Sequence, residues 1–326
     1  MSQIGIPTRT APVEPKPEAR AEASPSTFGA IVEMSKPGIV KLAATSTAIG
    51  FLLAALGREW GSLWTLGFTF TACMVGTVLS GAGANSLNMV IEHRRDAKMN
   101  RTRDRPIPSG RLSVSHGMLA SVLFSIIGVS VLLVGTNAVA ALVALSTIVS
   151  YAFVYTPLKP YTPSATIVGA IPGALPPLIG WAAASEGAFG GLDAPGGWTL
   201  FAIIFVWQIP HFLAIAWKYR EDYALGGYRV LPVIDPSGKR TSRATLVWSV
   251  ALIPISLTPV VALPNMFDWL YVFVALVAGL WMLKAAARLS MDRTDANARG
   301  LFIASIIYLP VVLLAMLADS LIPSLT

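Results

Sequence analysis

Cysteine is almost missing from this chain, and so is charge. The single cysteine, Cys73, lies in an apolar run, so there is no disulfide framework and no cysteine-based metal site. Asp, Glu, Lys and Arg make up 13% of the 326 residues, about half of the roughly 25% that a soluble globular protein carries. That shortage excludes a soluble enzyme, a disordered chain and a coiled coil. Apolar residues fill the space: the set AVILMFWYC reaches 54%, and the mean hydropathy is +0.65. A net charge of +7 and a pI of 9.7 would fit nucleic acid only if the basic residues gathered on one solvated patch. They sort instead by membrane side, so no nucleic-acid partner is expected, and the surrounding medium is a lipid bilayer.

About 20 apolar residues cross the hydrocarbon core. Nine runs qualify: 38–56, 62–91, 113–135, 137–155, 164–184, 198–217, 244–263, 269–283 and 301–317. The expected fold is all-α, a polytopic bundle of nine transmembrane helices. The eighth run is short and is expected to extend through Lys284 towards Arg288. Lys41, near an end, is the only charged residue inside these runs and can snorkel. With the N-terminus cytoplasmic and the C-terminus on the opposite side, Arg58 alone among the 24 Lys and Arg residues falls outside. Retention of basic residues on the cytoplasmic side accounts for this, and eight spans would scramble it. Residues 1–28, rich in Pro, Ala, Ser and Glu, read as a disordered cytoplasmic tail. Neither a transit peptide nor a cleavable signal is expected, and residues 29–326 read as one nine-helix domain.

Two connections are long and polar, 89–112 and 218–243, on the same expected side after the second and sixth spans. Their recurrence four helices apart hints at an internal pseudo-repeat. In the first, Asn88, Glu92 and Asp96 stand at i, i+4 and i+8, one face of a helix if the second span continues past the bilayer. Such hard oxygen ligands suit Mg²⁺, which keeps waters and bridges to phosphate. Arg101, Arg105 and Arg111 follow, and guanidinium groups clamp phosphate oxygens. The bland alternative is an ordinary basic loop with salt-bridged charges. In the second, His211, Lys218 and Asp222 are spaced i, i+7 and i+11, again one face if the helix is continuous. Asp222 is a second Mg²⁺ ligand in this reading, with Lys218 and Arg220 on diphosphate, while Glu221 points about 100° away. His211 follows Pro210 within the membrane and is a functional residue by default, its alternative being a hydrogen bond between helices.

The fifth span carries Pro172, Pro176 and Pro177 with three glycines. Such a broken helix is tolerated where it lines a cavity. The stretch Ser80-Gly81-Ala82-Gly83-Ala84 suits close helix packing or room for a flat ligand. Trp181, Trp207 and Trp217 suit an interfacial belt or an aromatic wall facing a carbocation.

Asn88-x3-Glu92-x3-Asp96-x2-Met99-x-Arg101-Thr102-x2-Arg105-Pro106-x3-Gly110 resembles the first acidic motif of the UbiA-type intramembrane prenyltransferases. Glu92, where relatives acting on quinone precursors usually carry aspartate, resembles the protoheme IX farnesyltransferase (heme O synthase) branch. So do Tyr155-Thr156-Pro157-Leu158-Lys159, the Gly169–Pro177 block, and the Trp207–His211 and Trp217–Tyr223 blocks. The likeness runs from Ser35-Lys36-Pro37 to the end of the ninth span. The chain departs from it at Gly38, Pro160 and Ala165, where the family commonly has Arg, Arg and Asn. The resemblance implies transfer of a farnesyl group from farnesyl diphosphate to a vinyl group of heme B, with addition of water, giving heme O on the way to heme A. It implies Mg²⁺ on Glu92, Asp96 and Asp222, and diphosphate on Arg101, Arg105, Lys159, Lys218 and Arg220. Asn88 and His211 complete the expected catalytic set. A bacterial inner membrane is the implied location, with heme A synthase or a second copy of the chain as possible neighbours. The rivals are a prenyltransferase acting on a quinone or chlorophyll precursor, a small-molecule transporter, and a passive assembly factor.

Overall fold

A computed structural model describes residues 26–322; residues 1–25 of the expected tail lie outside the described residues. A short helix, Thr27–Met34, begins where the Ser26 hydroxyl accepts from the Gly29 N–H. Among the described residues nine helices are long and apolar enough to cross a membrane. They are Pro37–Ala55, Leu63–Asp96, Val114–Gly135, Ala138–Leu158, Ala165–Ala184, Pro195–Lys218, Lys239–Ala262, Trp269–Met291 and Asp295–Leu321. The protein is an all-helical, multi-pass membrane protein. The eighth helix does run past Arg288, as its basic end required.

One face carries the two long connections. On the other, Trp64, Trp198 and Trp269 stand exposed at the starts of the second, sixth and eighth spans, where an amphipathic ring meets a membrane–water boundary. The tryptophans named from sequence are different. Trp181, Trp207 and Trp217 are all buried, so none of the three belongs to a belt.

Small residues set the closest approaches. A Cβ on Gly180 would run into the Thr47 carbonyl of the first span, and the Thr47 hydroxyl donates to the Pro176 carbonyl at 2.9 Å. The fifth and sixth spans are the most enclosed of the nine, as expected for helices broken by proline and shielded from lipid. The Ser80–Ala84 stretch serves both roles offered for it. Gly83 is pressed against Ser125 of the third span, whereas a Cβ on Gly81 would meet only Val40, and Gly81 faces a cavity.

On the tryptophan-bearing face, Asp319 ties the last spans together. Its Oδ2 accepts from the Asp268 and Tyr271 N–H groups at 2.6 and 3.1 Å. It thereby caps the start of the eighth span, where backbone donors have no helical partner.

A charged cluster above an apolar cavity

The second span stays helical through Asp96, so Asn88, Glu92 and Asp96 share one stripe, and all three are buried. Each meets a partner from another element. Lys36, held in a left-handed conformation at φ 54° just before the first span, donates from Nζ to Asn88 Oδ1 at 2.6 Å. Asn88 Nδ2 donates to Thr156 Oγ1 at 2.9 Å, and the Thr156 hydroxyl donates to the Tyr151 carbonyl at 2.8 Å. A π-helical turn over Ser150–Tyr155 brings that carbonyl to Thr156, a local widening common at functional sites. Glu92 Oε1 takes Lys159 Nζ at 2.9 Å, and Asp96 Oδ2 takes Arg105 Nη1 at 2.7 Å. The carboxylates are 6% and 1% exposed. Removing either cation would strand a buried charge at about 3–5 kcal/mol.

Electrostatics differ between the two lysines. Burial, then repulsion from Arg105, lowers the Lys36 ammonium to about 7, against the pull of Glu92. Burial also opposes the charge on Lys159, but Glu92, Tyr155 and Tyr151 more than offset it, and its pKa rises well above the usual lysine range.

The sixth span does not continue through Asp222. It ends at Lys218; Tyr219, at φ −110° and ψ 24°, turns the chain into a separate short helix, Arg220–Leu225. The single helical face expected for His211, Lys218 and Asp222 is therefore absent. Asp222 instead accepts the Asn100 and Arg101 N–H groups at 3.1 and 3.2 Å, tying the two long connections together. Arg95 adds to this by donating to the Gly226 carbonyl at 3.1 Å, and Arg229 N–H donates to the Lys159 carbonyl at 3.2 Å. Arg101 lies 4.9 Å from the Tyr219 ring centroid.

Lys218 is exposed and lies over the Tyr219 ring. Arg220 pairs with Asp295 at 2.9 Å in a polar outer cleft of about 440 Å³ that also holds Trp217 and Arg293. Neither joins the cluster around Glu92 and Asp96. Arg111 turns away too, binding Glu33 through two hydrogen bonds at 2.8 and 2.9 Å.

Beneath the cluster is a cavity of about 410 Å³, within the range of small-molecule sites. Its wall is mostly apolar and includes Pro172, Gly173 and Pro176, so the broken fifth span does line a cavity. Tyr151, Tyr155, Tyr223 and Arg101 line it, and Lys159 Nζ lies 4.5 Å from the Tyr155 ring centroid, which joins the cavity wall to the ion pairs. Trp207 and His211 line its deeper part. They stack with ring centroids 4.8 Å apart; the Trp207 indole N–H donates to the Ser305 carbonyl at 2.7 Å, and His211 Nδ1 contacts the Ser305 hydroxyl at 2.8 Å.

Among the described residues no three His, Cys, Asp or Glu side chains gather closely enough to hold a metal ion. Glu92, Asp96 and Asp222 are each engaged by a cation or by peptide N–H groups, so the expected three-carboxylate set is not assembled. Their chemistry nonetheless fits a metal–diphosphate head. Three basic groups, Lys36, Arg105 and Lys159, act on the two carboxylates Glu92 and Asp96, leaving positive charge in excess. Tyr228, 2% exposed, adds a phenol that lies beside Glu92 and makes no hydrogen bond of good geometry. Burial, and then the Glu92 charge, push that phenol's pKa up. A buried donor without a partner costs roughly 1–3 kcal/mol, and a diphosphate oxygen would satisfy it. Lys36 and Tyr228 were missed as site residues in the sequence. Lys36 entered as a basic residue before a span and as part of the Ser35-Lys36-Pro37 motif, with no role in the site, and Tyr228 stands outside any helical spacing with the acidic stripe.

A mostly apolar chamber among membrane-spanning helices, next to buried ion pairs, defines a multi-pass membrane protein with an internal site. Residues 43–307 match the model of the UbiA prenyltransferase family. A protoheme IX farnesyltransferase of Solibacter usitatus is 43% identical over 297 residues, covering 88% of this chain and 97% of that protein. Among solved structures, one of a digeranylgeranylglyceryl phosphate synthase superposes with a TM-score of 0.73 at 16% identity, covering 91% and 99% of the two chains. A UbiA homologue from Archaeoglobus fulgidus, bound to GPP and Mg²⁺, gives 0.53 at 14% identity over 88% and 99%; both likenesses concern the fold. The chain belongs to the UbiA prenyltransferase family. It is an enzyme, and the transporter and passive assembly-factor readings fall away.

Proposed function

We propose that this chain transfers the farnesyl group of farnesyl diphosphate to a vinyl group of heme B, giving heme O. The observation that carries the reading is the junction of the mostly apolar cavity with an over-cationic cluster. The names of the similar curated proteins supply the substrates.

In this reading the farnesyl chain and the reacting part of the porphyrin meet in the cavity, and the diphosphate lies against Arg101, Arg105, Lys159 and the Tyr228 hydroxyl. Glu92, Asp96 and Asp222 would hold Mg²⁺, as the GPP- and Mg²⁺-bound homologue makes reasonable; the ion's chemistry is neutralisation of charge on the leaving group. Before substrate arrives, Lys159 and Arg105 are held by the carboxylates. A bound diphosphate draws them across, so the ion pairs keep both sets of groups ordered in its absence. The C1–O bond of the donor breaks, the vinyl group attacks the allylic cation, and water captures the resulting cation and loses a proton. Positioned cations act on charge that grows only as the leaving group departs, and Tyr151, Tyr155 and Trp207 offer aromatic faces to the cation. Lys218 and Arg220 take no part. The cluster face is cytoplasmic, the membrane is a bacterial inner membrane, and the product goes on to heme A synthase.

The test supplies purified protein with heme B, farnesyl diphosphate and Mg²⁺ and looks for farnesylated, hydrated heme by mass spectrometry. Product that vanishes on chelation of Mg²⁺ supports the reading. No product with any prenyl donor overturns it.

A further inference from the structure

His211 sits two helical turns below Lys218, about 10 Å along the axis at 1.5 Å per residue, on the cavity wall. The single hydrogen of the Ser305 hydroxyl has two neighbours, the Phe302 carbonyl at 2.7 Å and His211 Nδ1 at 2.8 Å. The carbonyl can only accept, whereas the imidazole can also donate. With the Ser305 hydrogen on the carbonyl, all three groups are satisfied by a hydrogen on Nδ1. The lone pair is then on Nε2; the hydrogen-bond contact the ring makes among the described residues is the one through Nδ1. The ring plane is held as well, with Trp207 stacked on it at 4.8 Å and Phe302 at 5.4 Å between centroids.

A fixed neutral imidazole with a free Nε2 beside an apolar chamber has two ordinary uses, as a base or as a metal ligand. A base must carry a proton for part of the cycle. The ring and hydrogen-bond partners of His211, which are Trp207, Phe212, Phe302 and Ser305, are all uncharged, so no carboxylate is placed to hold an imidazolium. A ligand needs the opposite: a neutral ring with Nδ1–H donated to an outer acceptor and its lone pair free. We infer that His211 Nε2 is an axial ligand to the iron of the porphyrin substrate, and that Ser305 is the positioning residue that sets its tautomer. This rests on heme being the acceptor in the proposed reaction. Iron ligation at this depth anchors the macrocycle by its centre and leaves an edge vinyl group free to approach the donor below the charged cluster.

The test binds heme B to the intact protein in lipid nanodiscs, without prenyl donor, and records absorption and electron paramagnetic resonance spectra. Wild type is expected to show a nitrogen-ligated heme. His211→Ala should lose that signature and regain it on addition of free imidazole. Ser305→Ala keeps the ring but removes the acceptor on Nδ1, and should weaken heme binding about tenfold, the low end for outer partners of metal ligands. Melting curves without heme establish that both variants are folded; if His211→Ala is not, Ser305→Ala decides. Heme bound with the same spectrum in wild type and His211→Ala, or unchanged heme affinity in folded Ser305→Ala, overturns the assignment while the farnesyl-transfer reading stands. Failure of wild type to bind heme overturns both.

Discussion

The two polar connections are alike in length and polar composition and differ in construction. After the second span the helix simply continues, and three side chains at four-residue intervals arrive buried on one stripe. After the sixth span the helix breaks at Tyr219, and residues that share a face on a helical wheel part company. Asp222 clamps the first connection, while Lys218 and Arg220 face outward. One connection supplies the buried acidic groups; the other closes over them and adds Tyr228. Similar composition therefore does not mean similar work, because spacing carries positional information only while the backbone geometry persists.

The sharpest way to break this comparison is to neutralise one acid on each side. Asp96→Asn is expected to lower turnover at least about 100-fold, the scale for removing one group that stabilises developing charge, in a protein that still folds. Asp222→Asn should lose activity comparably and, unlike Asp96→Asn, should also speed hydrogen exchange at the Asn100 and Arg101 amides. Full turnover in both variants would remove the proposed metal roles.

Tyr228→Phe sharpens the comparison from the other side. The hydroxyl is buried without a hydrogen bond of good geometry, so melting should hold or rise, not fall. KM for the prenyl diphosphate should rise about five- to tenfold, equivalent to about 1–1.5 kcal/mol for one lost hydrogen bond. An unchanged KM with lowered stability would make Tyr228 a packing residue.

The lysine before the first span gives a pH test. Lys36 sits near 7, below its ordinary value, so between pH 7 and the usual lysine range the unfolded chain binds more protons and stability rises with pH. A bound diphosphate favours the charged form. Binding near pH 8 should then take up a proton, and affinity should fall as pH rises above 7. Calorimetric titration in two buffers of different ionisation heat measures that uptake, and Lys36→Met should abolish it.

The smallest effect is expected at Lys218 and Arg220. Replacing either with alanine should change KM less than about twofold, and loss of the exposed Arg220–Asp295 pair should cost no more than about 1 kcal/mol. A large KM effect in either would return that residue to the diphosphate site.

Much of this protein could be read without coordinates. Nine spans, the shared face of the two long connections and the Asn88–Glu92–Asp96 stripe all follow from local rules: a fixed rise per residue, a fixed turn angle and the cost of charge in hydrocarbon. The proline-broken fifth span was also legible as a cavity wall, since freed backbone carbonyls are not left facing lipid. Trp181, Trp207 and Trp217 were not placed by such rules, because a tryptophan near a helix end suits a lipid boundary and a buried contact equally well until neighbouring helices are in place.

What sequence by itself determined was therefore the class of solvent, the number of crossings and the chemical types at one interface. Only tertiary structure decided the pairings of Lys36 with Asn88, Lys159 with Glu92 and Arg105 with Asp96, the departure of Arg220 to Asp295, and the contact of His211 Nδ1 with Ser305. Each depends on groups 9 to 94 residues apart meeting at hydrogen-bond distance. A helical repeat places side chains around one axis, and only the packing of several axes brings them together.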